Sequence, residues 1–290
     1  MIGRWILASR PKTLVACVSP VMVGSALFFA KSNILLPFHI FLCLIFAALV
    51  QIGTNFANDY YDHQKGADTT ERIGPKRFVS SNLISPKTMF FATVVVLSIA
   101  FFVGLLLMEI SGSSRLLLLI GVLSILCAFA YTGGPFPLAY NALGDVFVVV
   151  FFGYVAAGTT EYVLCRSVGM SWNPSWMIYP SVGLMINNLL VVNNYRDYEE
   201  DKITGKNTLI VLFGRRAGSL IYFSSVIFST LLCPLLIEEA KYTLLLLPIG
   251  LFALMKLKNS KTSQDFNLAL SLSALMVLFH CLLMTFGILA

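Results

Sequence analysis

Two short polar stretches interrupt an otherwise apolar chain, and both carry carboxylates at helical spacing. The first, NDYYDHQKGADTTERIGPKR, runs from Asn58 to Arg77 and holds Asp59, Asp62, Asp68 and Glu71 beside Lys65, Arg72, Lys76 and Arg77. The second, NNYRDYEEDKITGKNTL, runs from Asn193 to Leu209. Residues four apart share one face of a helix. Asn58 and Asp62 form one such stripe; Asn193, Asp197 and Asp201 form another. Two carboxylates one turn apart can both reach a hard cation. Mg²⁺ takes oxygen ligands, keeps some water and commonly completes its shell with phosphate oxygens. The stripes therefore predict two facing helix ends that hold Mg²⁺ and a diphosphate. The metal-ligating candidates are Asn58, Asp59, Asp62, Asp68, Asn193, Asp197 and Asp201.

Asp68 lies off the stripe, about 240° further round a helix than Asp62. It joins the site only if the helix breaks first, and Gly66 is where a break is easiest. The span is expected to end near Lys65, with a loop carrying Asp68 back. Lys65, Arg72, Lys76, Arg77, Arg196, Lys202 and Lys206 suit a diphosphate. A solvated loop with salt bridges accounts for a few of these charges, and it is the preferred reading for Arg215 and Arg216. It does not account for two stripes, each at the end of an apolar run. Glu199 and Glu200 point off the stripe, while Glu161, Glu238 and Glu239 read as ordinary loop charges.

The elements that must position these residues are membrane spans. The chain has 290 residues, is 58% hydrophobic and only 12% charged, against about 25% charged in soluble domains; its mean hydropathy is +0.83. Apolar runs of about 20 residues, enough to cross a bilayer as a helix, recur throughout. The fold class is all-α, a multispanning bundle of about nine helices near 14–30, 37–57, 88–108, 114–131, 143–160, 174–195, 218–236, 241–256 and 266–288. The first run follows Arg4, Arg10 and Lys12 and is read as a retained helix rather than a leader. The net charge of +6 reflects topology and not nucleic acid. With the N-terminus inside, only Lys31, Arg115, Arg166 and Lys241 among the 20 basic residues fall outside, which sets a cytoplasmic N-terminus. The acids of both stripes, with Asp145 and Asp265, fall on the inside as well. The six cysteines are scattered without a CxxC pair and read as buried small hydrophobes.

The two stretches also align with each other. Asn58, Asp62, Gly66, Asp68 and Thr69 match Asp197, Asp201, Gly205, Asn207 and Thr208 at a constant offset of 139 residues, 58 to 197 and 62 to 201. This suggests two related halves within one domain, roughly 1–140 and 141–290, with the site between them.

At these residues the sequence resembles the UbiA superfamily of intramembrane prenyltransferases. Asn58, Asp62, Asp197 and Asp201 match its two Asp-rich motifs. The naphthoate branch is the nearest. Its pattern is similar to Lys65-Gly66-Ala67-Asp68 and Arg72-Ile73-Gly74-Pro75, to Arg10-Pro11-Lys12-Thr13-Leu14, to YTGGPFPLAYNALGD from Tyr131 to Asp145, and to NNYRD and GKNTL in the second stretch. Asp145 stands where the pattern leads to Glu, and Gly66 where other branches carry Asp. The resemblance implies a nine-helix bundle with Mg²⁺ as cofactor. A polyprenyl diphosphate and 1,4-dihydroxy-2-naphthoate would be its partners, in the bacterial inner membrane. Asp62, Asp197, Asp201 and Lys65 would be catalytic. Lys12, Asn194, Tyr61, Tyr131 and Tyr140 would join Arg72, Lys76, Arg77, Arg196, Lys202 and Lys206 in binding substrate, and aromatic faces there can stabilise an allylic cation. A 4-hydroxybenzoate or homogentisate acceptor and the prenyl chain length stay open. Two other readings compete: an ion-coupled transporter, which needs acids near mid-span, and a structural subunit, which leaves both stripes without a purpose.

Overall fold

The computed structural model describes residues 2–67, 74 and 77–290; Asp68, Arg72 and Lys76 lie outside the described residues. The helices are α1 (Ile2–Ala8), α2 (Val15–Ser32), α3 (Pro37–Gln64), α4 (Pro86–Ser111), α5 (Arg115–Ala130), α6 (Gly144–Ser167), α7 (Ile178–Arg196), α8 (Tyr198–Ile203), α9 (Leu209–Leu236), α10 (Glu238–Asn259) and α11 (Ser263–Leu289). By length and composition, seven are long and apolar enough to cross a membrane. The shorter α5 and the asparagine-bearing α7 fill the remaining two expected positions. The chain is thus an all-α bundle of about nine long helices. Large apolar side chains such as Phe91, Phe102, Leu119 and Leu126 are exposed on its outside, where a bilayer is their natural solvent.

Helices in lipid associate through close packing rather than through a hydrophobic drive, so small residues mark their contacts. A Cβ on Gly183 of α7 would lie 2.4 Å from the Val149 carbonyl oxygen of α6. One on Gly153 of α6 would lie 2.5 Å from the Tyr179 oxygen of α7. The two backbones touch at this point because neither residue has a side chain. Along this contact, Val149–Ala157 takes π-helical turns, a distortion that often accompanies functional sites.

Helix α3 continues beyond the apolar run 37–57 to Gln64, beside the expected end near Lys65, so the whole first stripe is helical. Two features differ from their sequence-based expectation. Helix α9 starts at Leu209 rather than 218 and absorbs a break at Gly214, whose φ is 81°. Glu161, expected to be a loop charge, is fully buried within α6. Lys31 Nζ lies 2.5 Å from its Oε1, and the Tyr179 hydroxyl donates to its Oε2. An apolar sequence context concealed a charge whose partners come from two other segments. Asp265, grouped with the inside acids, is the third residue of α11 and closes a capping box with the N-cap Thr262. Its Oδ2 accepts from the Thr262 N–H at 2.9 Å, and the Thr262 hydroxyl accepts from its own N–H at 3.2 Å. All six cysteines are free, and five are buried.

Candidate active site

The first stripe ends as its residue types dictate. Gly66 adopts φ +64°, and the Ala67 N–H bonds back to the Asp62 carbonyl at 2.9 Å while the Gly66 N–H reaches that of His63 at 3.1 Å. This is the paired closure that favours glycine just past a helix end. It fixes Asn58, Asp59 and Asp62 on the last two turns of α3, all buried. The Arg77 Nη2 donates to Asp62 Oδ2 at 3.1 Å, and the Tyr140 hydroxyl to Oδ1 at 2.9 Å. The Phe78 N–H donates to Asp59 Oδ2 at 3.0 Å, and Thr132 Oγ1 to Asn58 Oδ1 at 2.9 Å.

The second stripe is not one straight helix. Asp197 (φ −86°, ψ 8°) sits at the joint between α7 and α8. The hydrogen bonds of helical spacing continue across it, from the Asp197 N–H to the Asn193 carbonyl at 2.9 Å and from the Asp201 N–H to the Asp197 carbonyl at 2.8 Å. The local kink leaves Asp197 clasped by its neighbour, Arg196, through Nε to Oδ1 at 2.6 Å and Nη2 to Oδ2 at 2.8 Å. Asp201 faces Lys206, whose Nζ is 3.5 Å from its Oδ1.

One loop stitches the two stretches together. The segment after α5 pairs with the segment after α8: the Ala142 N–H donates to the Asn207 carbonyl at 2.8 Å and the Asn207 N–H to the Tyr140 carbonyl at 3.2 Å. Tyr140 thereby stands between the acidic ends. Its ring lies under Lys65 Nζ at 4.1 Å and Lys206 Nζ at 5.7 Å. Lys65 also donates to the Thr132 carbonyl at 2.7 Å. Burial, the larger cause, holds the Lys65 ammonium below its usual pKa; the Asp62 charge opposes this and Lys206 adds to it.

A cavity of about 350 Å³ is lined by Asn58, Asp59 and Asp62 from α3, by Asn193, Asn194, Arg196 and Asp197 from the end of α7, and by Arg77, Lys206, Lys12, Tyr131 and Asp145. A second, mostly apolar cavity of about 290 Å³ runs among α2 to α7, and both are lined by Arg10, Thr13, Asn58, Tyr131, Leu190 and Asn193. Five described candidates, Tyr61, Lys65, Tyr140, Asp201 and Lys202, lie off the polar cavity's lining. Asp201 touches a lining residue, Lys206, and Lys202 is exposed on α8. Tyr61 packs its ring where a Gly133 side chain would otherwise be, 2.5 Å from the position of that Cβ. Arg10 and Thr132 were not singled out from sequence. Both fall in stretches that carry the family resemblance, but only the fold turns them to the cavity.

The donor set suits a hard divalent cation. Among the described residues no three acid, histidine or cysteine side chains close on one point. Mg²⁺ does not need such a cage when phosphate oxygens and water complete its shell. The facing donors are all oxygens, and among the described residues the buried Asp59 Oδ1 has no hydrogen-bond partner, an arrangement costly without a cation to receive it.

A multispanning helical bundle with an oxygen-lined polar cavity adjoining an apolar one marks an intramembrane enzyme. The chain belongs to the UbiA prenyltransferase family, whose sequence pattern matches residues 17–286. It is 38% identical over 221 residues to the 1,4-dihydroxy-2-naphthoate octaprenyltransferase of Haemophilus influenzae, covering 74% of this chain and 70% of that one. It is 31% identical over 267 residues to the enzyme of the same name from Escherichia coli, covering 83% and 84%. The structure of a UbiA homolog from Archaeoglobus fulgidus bound to DMAPP and Mg²⁺ superposes with a TM-score of 0.63 at 18% identity, covering 98% of both chains.

Proposed function

We propose that the protein transfers a polyprenyl group from its diphosphate to 1,4-dihydroxy-2-naphthoate, with loss of CO₂ and diphosphate, at the cytoplasmic side of a bacterial inner membrane. One observation carries this reading: both acidic helix ends line a single polar cavity that shares a wall with an apolar one. A diphosphate fits the first and a lipid tail the second. An ion-coupled transporter would place its acids near mid-span, whereas these sit at helix ends beside cations.

Asn58, Asp59, Asp62, Asn193 and Asp197, with Asp68, would hold Mg²⁺. When bound, the metal supplies Lewis-acid charge that draws electrons onto the diphosphate. Arg77, Arg196 and Lys206 line the cavity as preset cations, which cost no reorganisation as the leaving group gains charge. Lys12 Nζ, 3.4 Å from Ser271 Oγ, stands at the same cavity. Lys65 is held over the Tyr140 ring, near Asp62. The Tyr131 ring lines both cavities, where an aromatic face can meet an allylic cation. The surrounding helices exclude water, which would otherwise capture that cation.

The test is to incubate the purified protein in lipid nanodiscs with Mg²⁺, a polyprenyl diphosphate and dihydroxynaphthoate. A prenylated naphthoquinone, formed with release of CO₂, is the expected product. Prenylation of 4-hydroxybenzoate or homogentisate instead would move the protein to another branch. No prenyl transfer to any of them would end the proposal.

A further inference from the structure

The acids of both stripes, and Asp59 beside the first, each meet a cation or a backbone donor: Asp62 meets Arg77, Asp197 meets Arg196, Asp201 meets Lys206 and Asp59 meets the Phe78 N–H. One further acid on the polar cavity is built differently. Asp145 sits in the first turn of α6 and is only 7% exposed. Among the described residues no cation lies within ion-pair distance of it. Its Oδ1 instead accepts from the Asn187 side-chain amide on α7 at 2.9 Å. A neutral amide orients a carboxylate without cancelling its charge.

Its position is as telling as its partner. Asp145 and Tyr131 line the polar cavity; Phe147, Val148 and Phe151, the next turns of α6, line the apolar one. The carboxylate therefore stands where the two meet. That is the place left for the reacting carbon once a diphosphate fills one side and a prenyl tail the other.

We propose that Asp145 is a catalytic residue that accepts the proton of the acceptor's ring hydroxyl. This inference rests on the prenyl transfer proposed above. The allylic C–O bond breaks and the diphosphate leaves with the electron pair. As the hydroxyl proton passes to Asp145, its electrons enrich the ring, and the carbon bearing the carboxylate forms the new C–C bond to the prenyl cation. CO₂ departs, and its bonding pair restores the aromatic ring. The proton returns from Asp145 to the product oxygen, so the hydroquinone forms with no oxidant or reductant.

The test compares wild type with Asp145→Asn and Asp145→Glu in nanodiscs, using dihydroxynaphthoate and an analogue whose hydroxyls are made more acidic by ring fluorination. Binding of a non-reactive allylic diphosphate analogue is measured alongside. Loss of a general base predicts a fall in kcat of about 100-fold or more in Asp145→Asn. Diphosphate binding and acceptor KM should change little. The fluorinated acceptor should recover Asp145→Asn by a larger factor than it changes wild type, and Asp145→Glu should keep most of the rate. Wild-type kcat in Asp145→Asn would overturn the assignment. An equal loss with both acceptors would also overturn it, because a merely structural carboxylate is blind to acceptor acidity. Absence of product in wild type would instead remove the prenyl-transfer reading itself.

Discussion

Tyr140 donates its hydroxyl to Asp62 Oδ1 at 2.9 Å while its backbone carbonyl accepts from the Asn207 N–H at 3.2 Å. One residue thus joins the carboxylate at the end of α3 to the loop after α8, within the second acidic stretch. The other carboxylate oxygen of Asp62, Oδ2, accepts from Arg77 Nη2 at 3.1 Å.

Tyr140→Phe keeps the ring beneath Lys65 and Lys206 but removes this tether. A hydrogen bond to a charged group is worth about 1.5–3 kcal/mol, so kcat/KM should fall by roughly 10- to 100-fold. Tyr140→Leu also removes the ring that faces both ammoniums and should fall further. Steady-state rates for the two variants check the order; equal rates in Tyr140→Phe and wild type would show the tether to be idle.

Glu161 marks the other electrostatic commitment of the fold. It is fully buried, with Lys31 and Tyr179 as partners, and Lys31 also donates to the Asn173 carbonyl at 2.7 Å. Lys31→Met leaves the buried Glu161 carboxylate without its cation; because Lys31 itself reaches solvent, the loss should fall below the roughly 3–5 kcal/mol of a wholly buried pair. A clear drop in thermal midpoint is expected, with much of it recovered in the Lys31→Met/Glu161→Leu double variant. Prenyl transfer per folded molecule should hold in both. A double variant less stable than Lys31→Met alone would show that the pair is not the source of the loss.

Two glycines should respond in opposite ways. Gly183→Ala places a methyl 2.4 Å from a backbone oxygen of α6, which must shift; overpacking of this kind costs about 1–3 kcal/mol. Gly121 lines the apolar cavity with nothing within 4 Å of its Cβ position. Gly121→Phe should fold normally yet shorten the groove. Short prenyl diphosphates should then keep their kcat/KM while long ones lose about tenfold, the scale of a few lost apolar contacts. Uniform behaviour across chain lengths would place the tail elsewhere.

The sequence made the helices legible because hydropathy reports burial in lipid directly. It also marked the break at Gly66, since glycine alone relaxes there. Spacing within one helix identified Asn58 with Asp62 and Asn193 with Asp197. It could not show that Asp197 would kink away to meet Arg196, because that depends on where α7 stops. Nor could it pair Asp145 with Asn187, Glu161 with Lys31, or Tyr140 with Asp62. Those contacts join separate segments, and a period of 3.6 residues carries no information about which segment faces which.

The central claim is that the two acidic helix ends hold divalent metal and diphosphate together. Electron paramagnetic resonance of Mn²⁺, titrated into the protein with a non-reactive prenyl diphosphate analogue, tests it most directly. Diphosphate-dependent Mn²⁺ binding is expected in wild type and should be lost in Asp62→Asn and, separately, in Asp197→Asn. Wild-type Mn²⁺ binding in either variant would contradict the account, because that helix end would then have no part in holding the metal.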